Sequence, residues 1–150
     1  MSVVPAINPP DVLLYGPGPS IVHPRVYRAM MAPIVGHLDP VFLEIMNQTS
    51  DMLRAVFGTE NRVTFPVSGT GSAGMEASLV NVIEAGDPVV VGVHGVFGER
   101  LCAIVERCGG VLHRVDAEWG RAIPPGQIID AMKQSNAKVV AVVHAETSTG

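Results

Sequence analysis

Cysteine is scarce in this chain: Cys102 and Cys108 are the only two among 150 residues. On an expected helix they match neither a CxxC redox pair nor a zinc knuckle, which leaves two free thiols in a reducing compartment. Basic charge is also short. The formal net charge is −4 with no stripe of Lys or Arg, which argues against nucleic acid as a partner. No hydrophobic run reaches the roughly 20 residues of a membrane span, because charges, Gly or Pro interrupt each one. Residues Met1 to Pro10 lack a basic region followed by an apolar one, so no secretory signal is read there and a cytoplasmic location is expected. His23, His94, His113 and His144 show no ligand spacing, and no metal is expected. What the chain has is apolar content, 47% of residues with a mean hydropathy of +0.33. That suits a buried parallel sheet or a large subunit interface, and the length suffices for one core.

The first third reads as irregular and helical. Residues 5–20 are too rich in Pro and Gly for one regular element. A short helix is expected at Arg25–Ala32. Pro40 then opens a longer one, with Phe42, Ile45, Thr49, Leu53, Val56 and Phe57 along one face and Gly58 as its C-terminal stop. From Arg62 the pattern alternates. Strands are expected at Arg62–Val67, Pro88–Val93, Val111–Val115 and Lys138–His144, and helices at Ser72–Glu84, Phe97–Cys108 and Pro125–Ser135. Leu101, Ile104, Val105 and Cys108 make an i, i+3, i+4, i+7 stripe on the middle helix. Strands alternating with helices, and apolar on both faces, predict an α/β fold with a mostly parallel sheet flanked by helices.

The sharpest local motif is Ser68-Gly69-Thr70-Gly71-Ser72-Ala73-Gly74, between a strand and a helix. Glycines permit a tight turn, and small residues leave the first helix amides open to an anion, most often a phosphate. Thr70 and Ser72 add hydroxyl donors; the competing reading is a purely structural turn. Gly69, Gly71 and Gly74 also spell GxGxxG, but that fingerprint needs an acid at the end of the next strand, where Gly92-Val93-His94-Gly95 stands.

Several further segments share order and spacing with one family. They are Tyr15-Gly16-Pro17-Gly18-Pro19-Ser20, Gly36-His37-Leu38-Asp39-Pro40-Val41-Phe42, the glycine turn, Gly95-Val96-Phe97-Gly98-Glu99-Arg100 and His144-Ala145-Glu146-Thr147-Ser148-Thr149-Gly150. With these the chain resembles the class V, fold-type I pyridoxal-phosphate-dependent aminotransferases of the alanine–glyoxylate and serine–pyruvate group, over nearly its whole length.

The resemblance implies a fold-type I large domain, incomplete in this chain. Residues 1–20 would be an arm over the active site, and 21–150 the first part of the cofactor-binding domain, with a helical lead-in at 21–58 and βα units over 62–150. Thr70, Gly71 and Ser72 would hold the phosphate of pyridoxal 5'-phosphate, and Phe97 would stack on its ring, where many relatives carry Trp or Tyr. Thr147 would reach the ring hydroxyl or the substrate carboxylate, while Gly16 and Gly18 would close over the substrate. The plainer readings are a core aromatic for Phe97, helix-capping hydroxyls for Thr147, Ser148 and Thr149, and a connector for Gly16–Gly18. His37 and Asp39 would be structural or reach a neighbouring subunit's site.

Transamination in the family also needs a lysine joined to the cofactor aldehyde and an aspartate against the pyridine nitrogen. Lys133 and Lys138 fit neither role and read as surface charges, so the resemblance puts both groups beyond Gly150. The expected activity is transfer of an amino group from alanine or serine to glyoxylate or pyruvate, in a homodimeric parent enzyme, with these 150 residues inactive alone. Two alternatives remain: a non-catalytic anion- or nucleotide-binding α/β module, and a class V relative acting on another small amine.

Overall fold

A computed structural model describes residues 7–150; residues 1–6, the start of the expected arm, lie outside the described residues. The chain divides into two units, Met1–Pro66 and Val67–Gly150.

The first unit carries helices α1 (Pro24–Met30) and α2 (Pro40–Phe57), and both start in the same way. A proline occupies the first turn, where its missing N–H costs nothing, and the residue before it caps the helix. His23 Nδ1 accepts from the Arg25 amide at 3.2 Å, and Asp39 Oδ1 accepts from the Val41 amide at 2.8 Å. Asp39 is therefore a helix cap. At the other end of α2, Gly58 takes the left-handed conformation (φ 60°) and returns its N–H to the Arg54 carbonyl, as its lack of a Cβ allows. The helix buries no residue. Of its expected apolar face, Phe42, Thr49 and Leu53 are half-buried, whereas Ile45, Val56 and Phe57 are exposed.

The second unit holds α3 (Gly71–Val80), β1 (Pro88–Val93), α4 (Val96–Arg107), β2 (Val111–Asp116), α5 (Pro125–Ser135) and β3 (Val139–Ala141). The strands form a parallel sheet in the order β2-β1-β3, with Val90 opposite His113 on one side and Val140 on the other. Side chains alternate across a strand, so β1 feeds two cores. Val89, Val91 and Val93 meet Leu101, Cys102, Ile104 and Val105 of α4. Val90 meets Val115 and Ala137, with Ile128, Ala131 and Met132 of α5 packed against them. Helices cover both faces.

Four expectations change. Residues 62–67 form no strand, and the last strand ends at Ala141 rather than His144. Apolar alternation marks a segment fit for a sheet, but a ladder also needs a neighbour with free backbone groups. Helix α3 stops at Val80, short of Glu84. Strand β2 is an edge and only Val115 on it is buried, so it is not apolar on both faces.

Gly98 lets α4 approach β1: a Cβ there would lie 2.9 Å from the Val93 Cα, whereas at Gly126 in α5 it would meet nothing within 4 Å. Gly98→Ala in the full-length protein should therefore cost about 1–3 kcal/mol. Gly126→Ala should be neutral or stabilising by up to about 1 kcal/mol. Thermal melts of the two variants check this, and equal melting temperatures would refute the close approach.

Candidate functional site

The strand order itself marks a place for a ligand. The chain leaves β1 for β2 on one side and then crosses to β3 on the other, so the connections diverge at the carboxyl ends of β1 and β3. In open α/β sheets that divergence leaves a crevice. Here an open cleft of about 550 Å³ is lined by Gly71 and Ser72 of α3, Phe97 and Arg100 of α4, and Thr147 after β3. That size suits a small molecule or cofactor.

Helix α3 begins with Thr70 as its cap, the Thr70 hydroxyl oxygen accepting from the Ala73 amide at 3.3 Å. The Gly74 amide makes the first helical bond, to the Thr70 carbonyl. Helix geometry leaves the two earlier amides, Gly71 and Ser72, without an intrahelical partner. The Thr70 oxygen is engaged, but its hydroxyl hydrogen remains available to donate. The glycines do not serve as expected, since none of Gly69, Gly71 and Gly74 has a positive φ. A Cβ at Gly71 or Gly74 would meet nothing within 4 Å, so the helix end lies open and neither glycine is required there by crowding.

Sequence reasoning missed two residues of this region. The first is Arg100, which donates from Nη1 to the Ser72 hydroxyl oxygen at 2.6 Å and lies over the Phe97 ring, 4.9 Å from its centroid. It brings a cation to the open end of α3 and a cation–π contact to the aromatic. Its place one turn after Phe97 on a helix was the available signal.

The second is Glu146, a buried carboxylate with 6% of its surface exposed. Its Oε2 accepts from the Phe97 and Gly98 amides, each at 3.1 Å, and its Oε1 accepts from the Ser148 hydroxyl at 2.6 Å. Burial works against its charge, yet hydrogen bonds from Ser148, Gly98 and Phe97 together outweigh it and hold the carboxyl below its ordinary value of 4.5. The only signal for it was position, within the His144–Gly150 segment.

Gly71, Ser72, Phe97 and Thr147 thus share one cleft, with Thr70 at its edge as a cap. Gly16 and Gly18 lie in the first unit, so their assignment to the substrate rests on the resemblance alone. His37 lies in the turn before the Asp39 cap. Among the described residues no group of three or more His, Cys, Asp or Glu could hold a metal ion, and no helix is long and apolar enough to cross a membrane.

No protein-family model matches the sequence. The chain is 48% identical over 134 residues to the (S)-ureidoglycine–glyoxylate transaminase of Bacillus subtilis, covering 89% of this chain and 32% of that protein. It is 40% identical over 141 residues to the alanine–glyoxylate aminotransferase of Drosophila melanogaster, covering 94% and 36%. The crystal structure of an alanine–glyoxylate aminotransferase from Nostoc sp. superposes with a TM-score of 0.87 at 43% identity, over all of this chain and 40% of that one. The chain therefore spans about a third of the length of the curated relatives it matches.

A group whose pKa is lowered on folding stabilises the fold above its unfolded value, and that contribution is lost as pH falls through the folded value. The melting temperature of the full-length protein should accordingly exceed that of Glu146→Gln most clearly above pH 4.5. The gap should narrow on further acidification. Melts across this range would contradict the ionised carboxylate if the gap stayed constant.

Proposed function

The chain belongs with the class V, fold-type I aminotransferases, of which it spans about a third, and we propose that its cleft holds pyridoxal 5'-phosphate. The parent enzyme then moves an amino group from a small amino acid, alanine or serine, to glyoxylate or pyruvate. The observation that carries this reading is the meeting, in one cleft, of an open helix end, a cation, an aromatic face and a hydroxyl.

The residues suit the cofactor part by part. The Gly71 and Ser72 amides and the Thr70 hydroxyl donate to a phosphate at the positive end of the α3 dipole, and Arg100 offsets its charge. Phe97 presents a flat apolar face that holds a ring in plane and keeps water from one side of it. Thr147, exposed at the end of the β3 loop, donates to the ring hydroxyl or the substrate carboxylate. When bound, the cofactor supplies an aldehyde to take up the amino group and a ring that draws electrons from the substrate α-carbon. The resemblance assigns the lysine and the ring aspartate of the reaction to residues outside this stretch.

On the same reading, Gly16 and Gly18 close over the substrate and the enzyme is a cytoplasmic homodimer. The apolar surface of α2, with Val56 79% and Phe57 74% exposed, supports burial against further protein. A nucleotide-binding module is the weaker reading, because β1 ends without the acid that a ribose requires.

The visible spectrum of the full-length protein with pyridoxal phosphate, desalted and then given L-alanine, L-serine or ureidoglycine, tests the function. A retained yellow band that bleaches with one of these donors is expected and identifies that donor. A colourless protein would overturn the reading.

Two sets of variants test the parts. Thr70→Ala with Ser72→Ala should raise the cofactor Kd on the order of 10–100-fold, since it removes the hydroxyl that donates to the phosphate and one hydrogen bond to a charged group contributes about 1.5–3 kcal/mol. Phe97→Leu should weaken binding by about 3–10-fold while Phe97→Trp binds normally; equal affinities in the two would remove the stacking role.

A further inference from the structure

Helix α4 begins without a cap of its own. Its N-cap is Gly95, which makes no side-chain hydrogen bond, so the first amides need acceptors from elsewhere. They find them in the loop after β3, 48 to 52 residues further along the chain. The Ser148 hydroxyl oxygen accepts from the Val96 amide at 3.0 Å, and Glu146 Oε2 accepts from the next two, Phe97 and Gly98. The Ser148 hydroxyl passes its own hydrogen to Glu146 Oε1, and the Ser148 amide adds a bond at 3.3 Å.

Around this carboxylate the backbone leaves no slack. A Cβ on Gly95 would fall inside the Glu146 side chain and 2.7 Å from the Ser148 hydroxyl oxygen. A further tie lies nearby: His94 Nε2–H donates to the Val143 carbonyl at 3.2 Å, the carbonyl fixing the ring nitrogen as the donor. A buried negative charge at a helix start, with both oxygens engaged, is favoured by the helix dipole and stiffened by each bond. The residues it touches also matter. Glu146 holds the backbone N–H of Phe97 itself, and Thr147 is its covalent neighbour.

We infer that Glu146 is a positioning residue for the cofactor: its carboxylate joins the start of α4 to the β3 loop and thereby sets the placement of the Phe97 ring relative to the Thr147 hydroxyl. This rests on the reading of the cleft as a pyridoxal-phosphate site. Glu146 is not among the residues that line the cleft. It acts through two that do, so that a ring held by Phe97 meets a hydroxyl donor at fixed separation.

The test uses the full-length protein, wild type, Glu146→Gln and Glu146→Ala, with pyridoxal phosphate as the probe. In the cofactor-free protein, amide hydrogen exchange at Phe97 and Gly98 should accelerate at least about tenfold in Glu146→Ala. Glu146→Gln, which keeps one acceptor oxygen, should fall between the two. In the loaded protein, the visible circular dichroism per bound cofactor reports how rigidly the ring is oriented. It should drop in Glu146→Ala and partly recover in Glu146→Gln, with the Kd raised by about tenfold in Glu146→Ala and far-ultraviolet dichroism unchanged.

Unchanged exchange at Phe97 and Gly98 would overturn the anchoring. Faster exchange with wild-type Kd and wild-type visible dichroism would overturn the positioning role. Should Glu146→Ala fail to fold, the same comparisons on Glu146→Gln decide. A wild-type protein that binds no pyridoxal phosphate would instead overturn the cofactor reading, and the positioning role with it, whatever the exchange rates show.

Discussion

The second unit depends on the double burial of β1. Val89, Val90 and Val91 have no exposed surface, and the strand is paired along both edges. A strand in that position cannot spare backbone groups along its length. Its polar groups become available only where the ladder ends, and there the chain turns through Gly95 into α4. Fixing β1 in the middle therefore also fixes where the start of α4 and the end of β3 meet. The cleft follows from the order of three strands as much as from the residues that line it.

The ion pairs around the sheet support this arrangement from outside. Arg114 on β2 bonds both carboxylate oxygens of Glu99 on α4, at 2.9 and 2.7 Å, and Asp116 on its own strand. The hydrogen bond from Arg114 holds the Glu99 carboxyl below its ordinary value. These groups are partly or largely solvated, so salt and water screen them and the packing of the valines stabilises the sheet more. What the bidentate contact adds is direction, fixing how α4 lies on the sheet a few residues past Phe97.

Much of this was legible in the residues. Proline at the first turns of α1, α2 and α5 and glycine after α2 marked helix bounds because each acts on its own backbone. The Leu101, Ile104 and Val105 stripe marked a buried face because 3.6-residue periodicity is local. The glycine turn marked the start of α3 for the same reason. Arg62–Val67 could not be judged in this way, since pairing depends on a neighbour the pattern does not name. Glu146 was invisible for a related reason. A glutamate that caps a helix normally stands within a turn of it, and this one belongs to a distant loop. Arg100 was hidden by composition, as an arginine on an amphipathic helix ordinarily reads as a solvated face.

The cap supplied to α4 from afar has a consequence for how the molecule is made. A helix that starts from a glycine with no side-chain cap leaves its first amides to water until another acceptor arrives. Its initiating amides find partners only after β3 has been synthesised and has docked beside β1. Contacts of such separation are slow to form, because the intervening chain must be ordered first. In a nascent chain paused before Glu146, the first amides of α4 would have no acceptor from the β3 loop, and the backbone beneath Phe97 would lack its anchor.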